Sequence, residues 1–293
     1  MRHIGFSTQT RDIEMLRQAF DEGLNAVELW CGNPQTFDDQ RAWLKELRPI
    51  LDQYDIRRSI HLQMFNIAEP NPGIGAEMIR QHTQELEIAG EIGAELAVIH
   101  PGMPAGAAAE GYCPIPPVVE EKVKAALASA HAVTRERFAL LVDVASQNGV
   151  RLAAENLRMP PRPFGMTVTE AKATGWYGGG STIDGLEDLM SVDNRLGVTL
   201  DVGHALLAEI DAVELINRLG PRVLHVHIQD ATGEYDAHNE VGDGTVDFPS
   251  MLAALNDIAY SGLLIMEIKG ADIDTYKRSR DRLRGMMPEM VSR

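Results

Sequence analysis

Short β-branched, apolar runs alternate along the chain with longer segments whose apolar residues recur at helical spacing. Strands are predicted over residues 3–7, 26–30, 58–62, 96–100, 151–155, 196–201, 223–228 and 263–267. Between them, helical period predicts helices over about 12–22, 38–54, 76–92 and 117–148, further helices in the remaining gaps, and a last one beginning near Ile273. In the first helix Ile13, Leu16, Ala19 and Phe20 share one face. Eight strand-then-helix units in series demand parallel strands, because each crossover helix returns the chain to the same edge. The expected fold is α/β, a single (β/α)8 TIM barrel spanning residues 1–293. A doubly wound open sheet is the alternative, but Gly5-Phe6-Ser7-Thr8 stands where its glycine-rich turn would follow the first strand. Two long loops, over 103–117 and about 158–183, interrupt the rhythm; the second holds Pro160-Pro161-Arg162-Pro163 and Gly178-Gly179-Gly180 and is expected to cover the active face.

What closes each strand carries the chemistry. His61, His100, Glu155, Asp201, His227 and Glu267 stand at the ends of strands three to eight. In a parallel barrel all these ends open on one mouth, where barrel enzymes keep their active sites. Two further motifs join them: Asp201-Val202-Gly203-His204, and Asp236-Ala237-His238 in the loop after strand seven. Carboxylates gathered at short range repel one another and raise each other's pKa, and a divalent cation relieves that repulsion. Mixed His and carboxylate donors without a thiolate suit zinc, manganese, iron or cobalt, with a position left for water or substrate. A non-catalytic barrel has no need of so costly a cluster.

The other histidines read differently. His82 and His131 fall on helix patterns and are expected to face solvent, and His3 opens strand one at the non-catalytic end. His225 shares a strand face with His227 and is expected to point into the barrel, either as packing or as support for a ligand, and Glu28 on strand two reads equally as a support of the site or as an interior carboxylate bonded to a neighbour. Gly242-Asp243-Gly244 reads as a tight turn.

Composition narrows the class. The 293 residues hold 27 Lys plus Arg against 43 Asp plus Glu, a formal net charge of −16, which disfavours non-specific binding to nucleic acid or anionic lipid. Cys31 and Cys113 form no C-x-x-C motif, so neither a disulfide framework nor a cysteine-zinc module is expected, and a cytoplasmic location fits. No apolar run approaches the roughly 18 residues of a membrane span, and residues 1–7 lack the apolar core of a signal peptide.

These motifs together resemble the xylose-isomerase-like barrel superfamily, which includes sugar and sugar-phosphate isomerases and epimerases and endonuclease IV. The resemblance runs through His61 with Asn66-Ile67-Ala68, Ile99-His100-Pro101-Gly102, Ala154-Glu155-Asn156, Leu200-Asp201-Val202-Gly203-His204, Val226-His227-Ile228-Gln229-Asp230, Asp236-Ala237-His238-Asn239-Glu240-Val241-Gly242-Asp243-Gly244 and Met266-Glu267. In the single-metal isomerases and epimerases it implies a ligand set of Glu155, Asp201, His227 and Glu267. In endonuclease IV it implies three zinc ions: His61 and His100 on one, Asp201, His227 and Glu267 on the second, His204, Asp236 and His238 on the third, with Glu155 bridging. One to three divalent ions, zinc or manganese first, are therefore expected.

The ligands leave both branches open, and the surroundings separate them. An endonuclease needs Lys and Arg on its mouth loops and side chains to fill the gap left by a flipped nucleotide. The loop over 30–39 has no basic residue and ends on Asp38 and Asp39, and Gln229 stands where the endonuclease motif has Asn. Phe65 suits either a base stack or a core anchor, while Arg158 and Arg162 could meet a phosphate of DNA or of a sugar. The balance favours a small polyhydroxy substrate, isomerised or epimerised by proton transfer beside a metal-polarised carbonyl. Glu155 and Glu267 would move the proton and His204 would polarise an oxygen or carry a proton. The alternative is a zinc phosphodiesterase at abasic sites in DNA. Assembly into a homo-oligomer is compatible with either.

Overall fold

A computed structural model describes residues 3–31, 37–102, 117–158, 179–233 and 235–287, with only the backbone of 117–127. Its strands are β1 His3–Thr8, β2 Ala26–Trp30, β3 Arg57–His61, β4 Leu96–Ile99, β5 Arg151–Glu155, β6 Gly197–Asp201, β7 Val223–Ile228 and β8 Leu263–Met266. The helices are α1 Ile13–Asp21, α2 Phe37–Gln53, α3 Pro72–Ile92, α4 Pro117–Gln147, α5 Ile183–Met190, α6 Val202–Leu207, α7 Ala212–Leu219, α8 Phe248–Asp257 and α9 Ile273–Met286. Every strand pairs in parallel with its sequence neighbours, and β1 also pairs with β8, with Gly5 opposite Ile265. That closure excludes the open sheet.

Local chemistry explains the boundaries. Asp12, Asp211 and Asp272 each cap a helix by accepting N–H groups of its first turn. The third helix starts four residues earlier than its apolar period suggests, because Asn71 caps it and Pro72 occupies the first turn. It stops at Gly93, whose φ of 72° is left-handed.

The period-two alternation of the strands divides two environments. Ile4, Phe6, Val27, Leu29, Ile60, Ala97, Ile99, Leu152, Val198, Leu200, Val226, Leu264 and Met266 join the helices in one continuous apolar core. Alternate residues fill the barrel interior: Ala26, Leu263 and Ile265 form one small cluster, Leu96, Val98 and Ala153 another. Gly5 belongs to this interior, where a Cβ would sit 2.0 Å from the Ala26 carbonyl oxygen. Above the apolar floor the inward positions turn polar: Glu28, Ser59, His61, Glu155, Thr199, Asp201, His225 and His227, all buried.

The loop over 103–117 and the expected cover over 158–183 lie almost wholly outside the described residues, as do Cys113, Arg162 and residues 32–36. At the far end of the cover, Gly180 returns to the mouth and accepts a hydrogen bond from Leu157 N–H. Among the described residues no helix is long and apolar enough to cross a membrane.

One expectation is corrected here. His82 is buried, not solvent-facing, because the buried stripe of α3 runs through Met78, His82, Glu85, Ala89 and Ile92. Its Nδ1 lies 2.7 Å from Glu85 Oε2, so the pair is sunk together. His131 is half-buried, 3.6 Å from Asp188.

Candidate metal centre

All nine predicted donors meet at the C-terminal mouth. His61 Nε2 and His100 Nε2 each stand 3.2 Å from Glu155 Oε2. His227 Nδ1 lies 3.7 Å from Glu155 Oε1, 3.7 Å from Asp201 Oδ2 and 3.6 Å from Glu267 Oε2. His204 Nε2 and His238 Nε2 flank Asp236 at 3.3 and 3.2 Å. Three groups of donor atoms result, each within 4.8 Å of one another: His61, His100 and Glu155; Glu155, Asp201 and His227; His204, Asp236 and His238. A fourth, Glu28, His225 and His227, lies below the mouth. His100 and Glu267 stand one residue beyond their strands, though Glu267 N–H still bonds the Ile228 carbonyl as a further rung of the ladder.

The outward nitrogens decide how the imidazoles are used. His61 Nδ1 lies 2.8 Å from the Leu62 carbonyl and His238 Nδ1 2.8 Å from the Glu267 carbonyl, whereas His204 Nδ1 is shared between the Asn156 carbonyl at 3.1 Å and Glu155 Oε1 at 3.0 Å, both acceptors. A carbonyl only accepts, so each of these nitrogens carries the proton. The inner nitrogen of each neutral ring then turns its lone pair on carboxylate oxygens. Lone pairs facing carboxylates at these distances require either an extra proton or a cation between them.

Without a cation, protons fill that role. Burial alone would push the His61, His204 and His227 imidazoles down, but Glu155 at His61, Asp201 and Asp236 at His204, and Glu267, Glu28 and Glu155 at His227 drive all three up. Asp236 raises His238 to about 9. Burial would raise the Glu155 carboxyl, yet His100 and His227 hold it well below the usual range. Glu267 differs: burial outweighs the pull of His227 and its carboxyl is raised. Metal binding releases such protons, because ligands must be deprotonated to coordinate.

The donor set fits a divalent ion. His227 Nδ1 and Glu267 Oε1 are buried without a hydrogen-bond partner. Tetrahedral ligands at ordinary Zn–N and Zn–O lengths lie roughly 3.4 Å apart, close to the spacing around His227 Nδ1. No thiol belongs to any of the donor groups among the described residues, and Cys31 is a buried free thiol.

A family model described as xylose isomerase-like TIM barrel matches residues 16–286. The chain belongs to the xylose isomerase-like TIM-barrel family. An uncharacterized protein of Methanocaldococcus jannaschii, MJ1311, is 27% identical to this family member over 257 residues, covering 85% of this chain and 76% of its own. Fructoselysine 3-epimerase of Shigella flexneri is 21% identical over 285 residues, 93% of this chain and 92% of its own. Among solved structures, a D-tagatose 3-epimerase-like protein superposes with a TM-score of 0.73 at 22% identity, covering 98% of this chain and 97% of that one. The TTHB071 protein from Thermus thermophilus, soaked with ZnCl2, gives 0.69 at 21% identity and 97% of each chain. At these identities the solved structures establish a shared fold.

In this xylose isomerase-like barrel several supporting residues are invisible to strand-end reasoning. Asn156 locks β5 to β6, and Gln229 Nε2 donates to both Asp201 oxygens at 2.7 Å. Asp230 accepts from the N–H groups of Ala231, Gly242 and Val246, and its backbone pairs with Asn239. It thereby ties down the loop that carries Asp236 and His238. The indole of Trp30 stacks on His61, with ring centroids 4.0 Å apart and planes 5° from parallel. The signals for Asn156, Gln229 and Asp230 in the chain are their adjacency to Glu155 and His227 and their place in the strand-end motifs, neither of which tells what they bond. Phe65 is half-buried with its ring 5.1 Å from that of His82, the placement of a core anchor.

Proposed function

We propose that the chain is a divalent-metal-dependent isomerase or epimerase of a sugar or sugar phosphate. The observation that carries this is His227 Nδ1, buried and unpartnered, facing one oxygen each of Glu155, Asp201 and Glu267. The relatives named as sugar epimerases support the substrate class.

Glu155, Asp201, His227 and Glu267 would hold the principal ion, with further positions at His61 and His100 and at His204, Asp236 and His238. When bound, the cation supplies Lewis acidity that stabilises negative charge developing beside a carbonyl as the neighbouring C–H proton leaves. Glu267 is suited to take up and return that proton: its carboxyl is raised, one oxygen has no partner, and it sits at the rim. Glu155 stays ionised and flanks the substrate from the β5 side. His204, between Glu155 at 3.0 Å and Asp236 at 3.3 Å, would polarise a substrate oxygen or carry a proton to it.

A second reading, a zinc phosphodiesterase at abasic sites, is favoured by the presence of three donor groups rather than one. Phe65 packed on His82, and a second-strand loop without basic residues, weigh against it.

The test combines metal analysis with two assays. Purified protein loaded with zinc or manganese is incubated with a ketose and aldose panel in deuterated water, and with an abasic oligonucleotide. Deuterium incorporation beside the carbonyl, lost on chelation, is expected. Incision of the oligonucleotide without exchange into any sugar overturns the first reading in favour of the second.

A further inference from the structure

We propose that Glu28 is a positioning residue that fixes the ring orientation and tautomer of His227, so that His227 offers Nδ1 to the divalent ion. This rests on the metal-dependent reading above.

Glu28 lies on β2, three strands around the barrel from β7, and its side chain is wholly buried. Its Oε2 receives Ser59 Oγ–H at 3.0 Å and lies 2.9 Å from His225 Nε2. His227 Nε2 lies 3.1 Å from Oε1 and 3.3 Å from Oε2. Ser59 Oγ–H already donates to this carboxylate, and a carboxylate acts here as acceptor, so both rings meet it with Nε2–H as the donor.

For His227 the consequence is directional. A neutral imidazole has one N–H, and the cluster at the mouth would otherwise claim it, since Glu155, Asp201 and Glu267 all face Nδ1. With the proton committed to Glu28, the Nδ1 lone pair points at the mouth. Ser59 and His225 pin the carboxylate, which in turn pins the ring. A purely structural filler here would be apolar, because the floor beneath consists of Ala26, Leu263 and Ile265 and a buried charge is costly. Carboxylates bonded to the far nitrogen of a ligating histidine fix its tautomer and raise its basicity.

The test reads metal binding and ring state rather than turnover. Heteronuclear NMR of histidine-labelled, zinc-loaded wild-type protein is expected to show His227 protonated at Nε2 and coordinated through Nδ1, with His225 protonated at Nε2. Glu28→Gln and Glu28→Leu are expected to weaken zinc binding about 10- to 100-fold in chelator competition, while metal-free unfolding stays cooperative. Zinc binding that requires Asp201 yet is unchanged in folded Glu28→Gln overturns the Glu28 role alone. Coordination through Nε2 of His225 or His227, which would place the ion beside Glu28 itself, also overturns it. Should both variants fail to fold, the wild-type ring state decides. Zinc binding that is absent, or indifferent to Asp201→Asn, overturns the metal reading and this inference with it.

Discussion

Asn156 and Asp201 are locked together by a reciprocal pair of hydrogen bonds. Asp201 N–H donates to Asn156 Oδ1 at 2.7 Å, and Asn156 Nδ2 donates to the Asp201 carbonyl at 2.9 Å. Asn156 is wholly buried, and its own carbonyl accepts from His204 Nδ1–H. One amide thus ties the end of β5, where Glu155 stands, to the end of β6. Replacing it by Ala leaves the buried Asp201 N–H unpaired, at a cost of about 1–3 kcal/mol, while the Asp201 carbonyl keeps its place as the N-cap acceptor of α6. Asn156→Ala is therefore expected to lower unfolding free energy by about 2 kcal/mol in a urea titration. A loss below a few tenths would mean that water satisfies the freed N–H.

Glu267→Gln keeps the size and the Ile228 rung of the ladder but removes the carboxyl proposed to carry the proton. The variant is expected to fold with unchanged far-ultraviolet circular dichroism. Its sugar exchange should fall by about 100-fold or more, the usual share of a positioned acid or base. Near-wild-type exchange would remove Glu267 from the reaction.

The His238 imidazole, raised to about 9 by Asp236, predicts a pH dependence for metal-free protein. A group whose pKa is higher in the folded chain stabilises it fully below its unfolded value, about 6.5 for histidine. That contribution is lost as pH rises through about 9. Thermal midpoints of metal-free protein should decline across this interval, and His238→Asn should flatten part of the decline. Saturating zinc should flatten it too, because the bound imidazole is deprotonated throughout.

Glu85 and His82 form a buried pair at the back of α3, and Glu85 also receives Gln63 N–H at 3.3 Å, just past His61. Removing one member leaves the other's buried polar atom without its hydrogen bond, so Glu85→Leu is expected to cost about 1–3 kcal/mol. The double variant His82→Phe with Glu85→Leu should recover much of that loss. A double-mutant cycle in urea reports the coupling directly, and strictly additive losses would show the pair to be independent.

Most of the barrel is legible in the chain because its signals are local. The strands Ala26–Trp30, Arg151–Glu155 and Val223–Ile228 coincide with the apolar runs that announce them. The start of α3 is missed because its first turn, Pro72 to Gly75, carries little apolar period and is specified by Asn71 and Pro72 instead. His82 is misjudged for a related reason: a polar residue on a helix is assigned to solvent unless its partner is recognised, and Glu85 is one turn further on.

Alternation and closure are enough to specify the eight-stranded barrel and to send His61, His100, Glu155, Asp201, His227 and Glu267 to one mouth. Strand period and direction are properties of neighbouring residues, so no distant contact need be known. The partners of each donor lie beyond that reach. Glu28 and His227 are 199 residues apart, and Asn156 and His204 are 48 apart. Their meeting depends on how the sheet curls shut and on which side chains then share a small, water-poor interior. His61 is tied back by its own neighbour Leu62, but for His227 and His238 only the closed barrel decides which imidazole nitrogen is tied back, because Glu28 and the Glu267 carbonyl come from other strands.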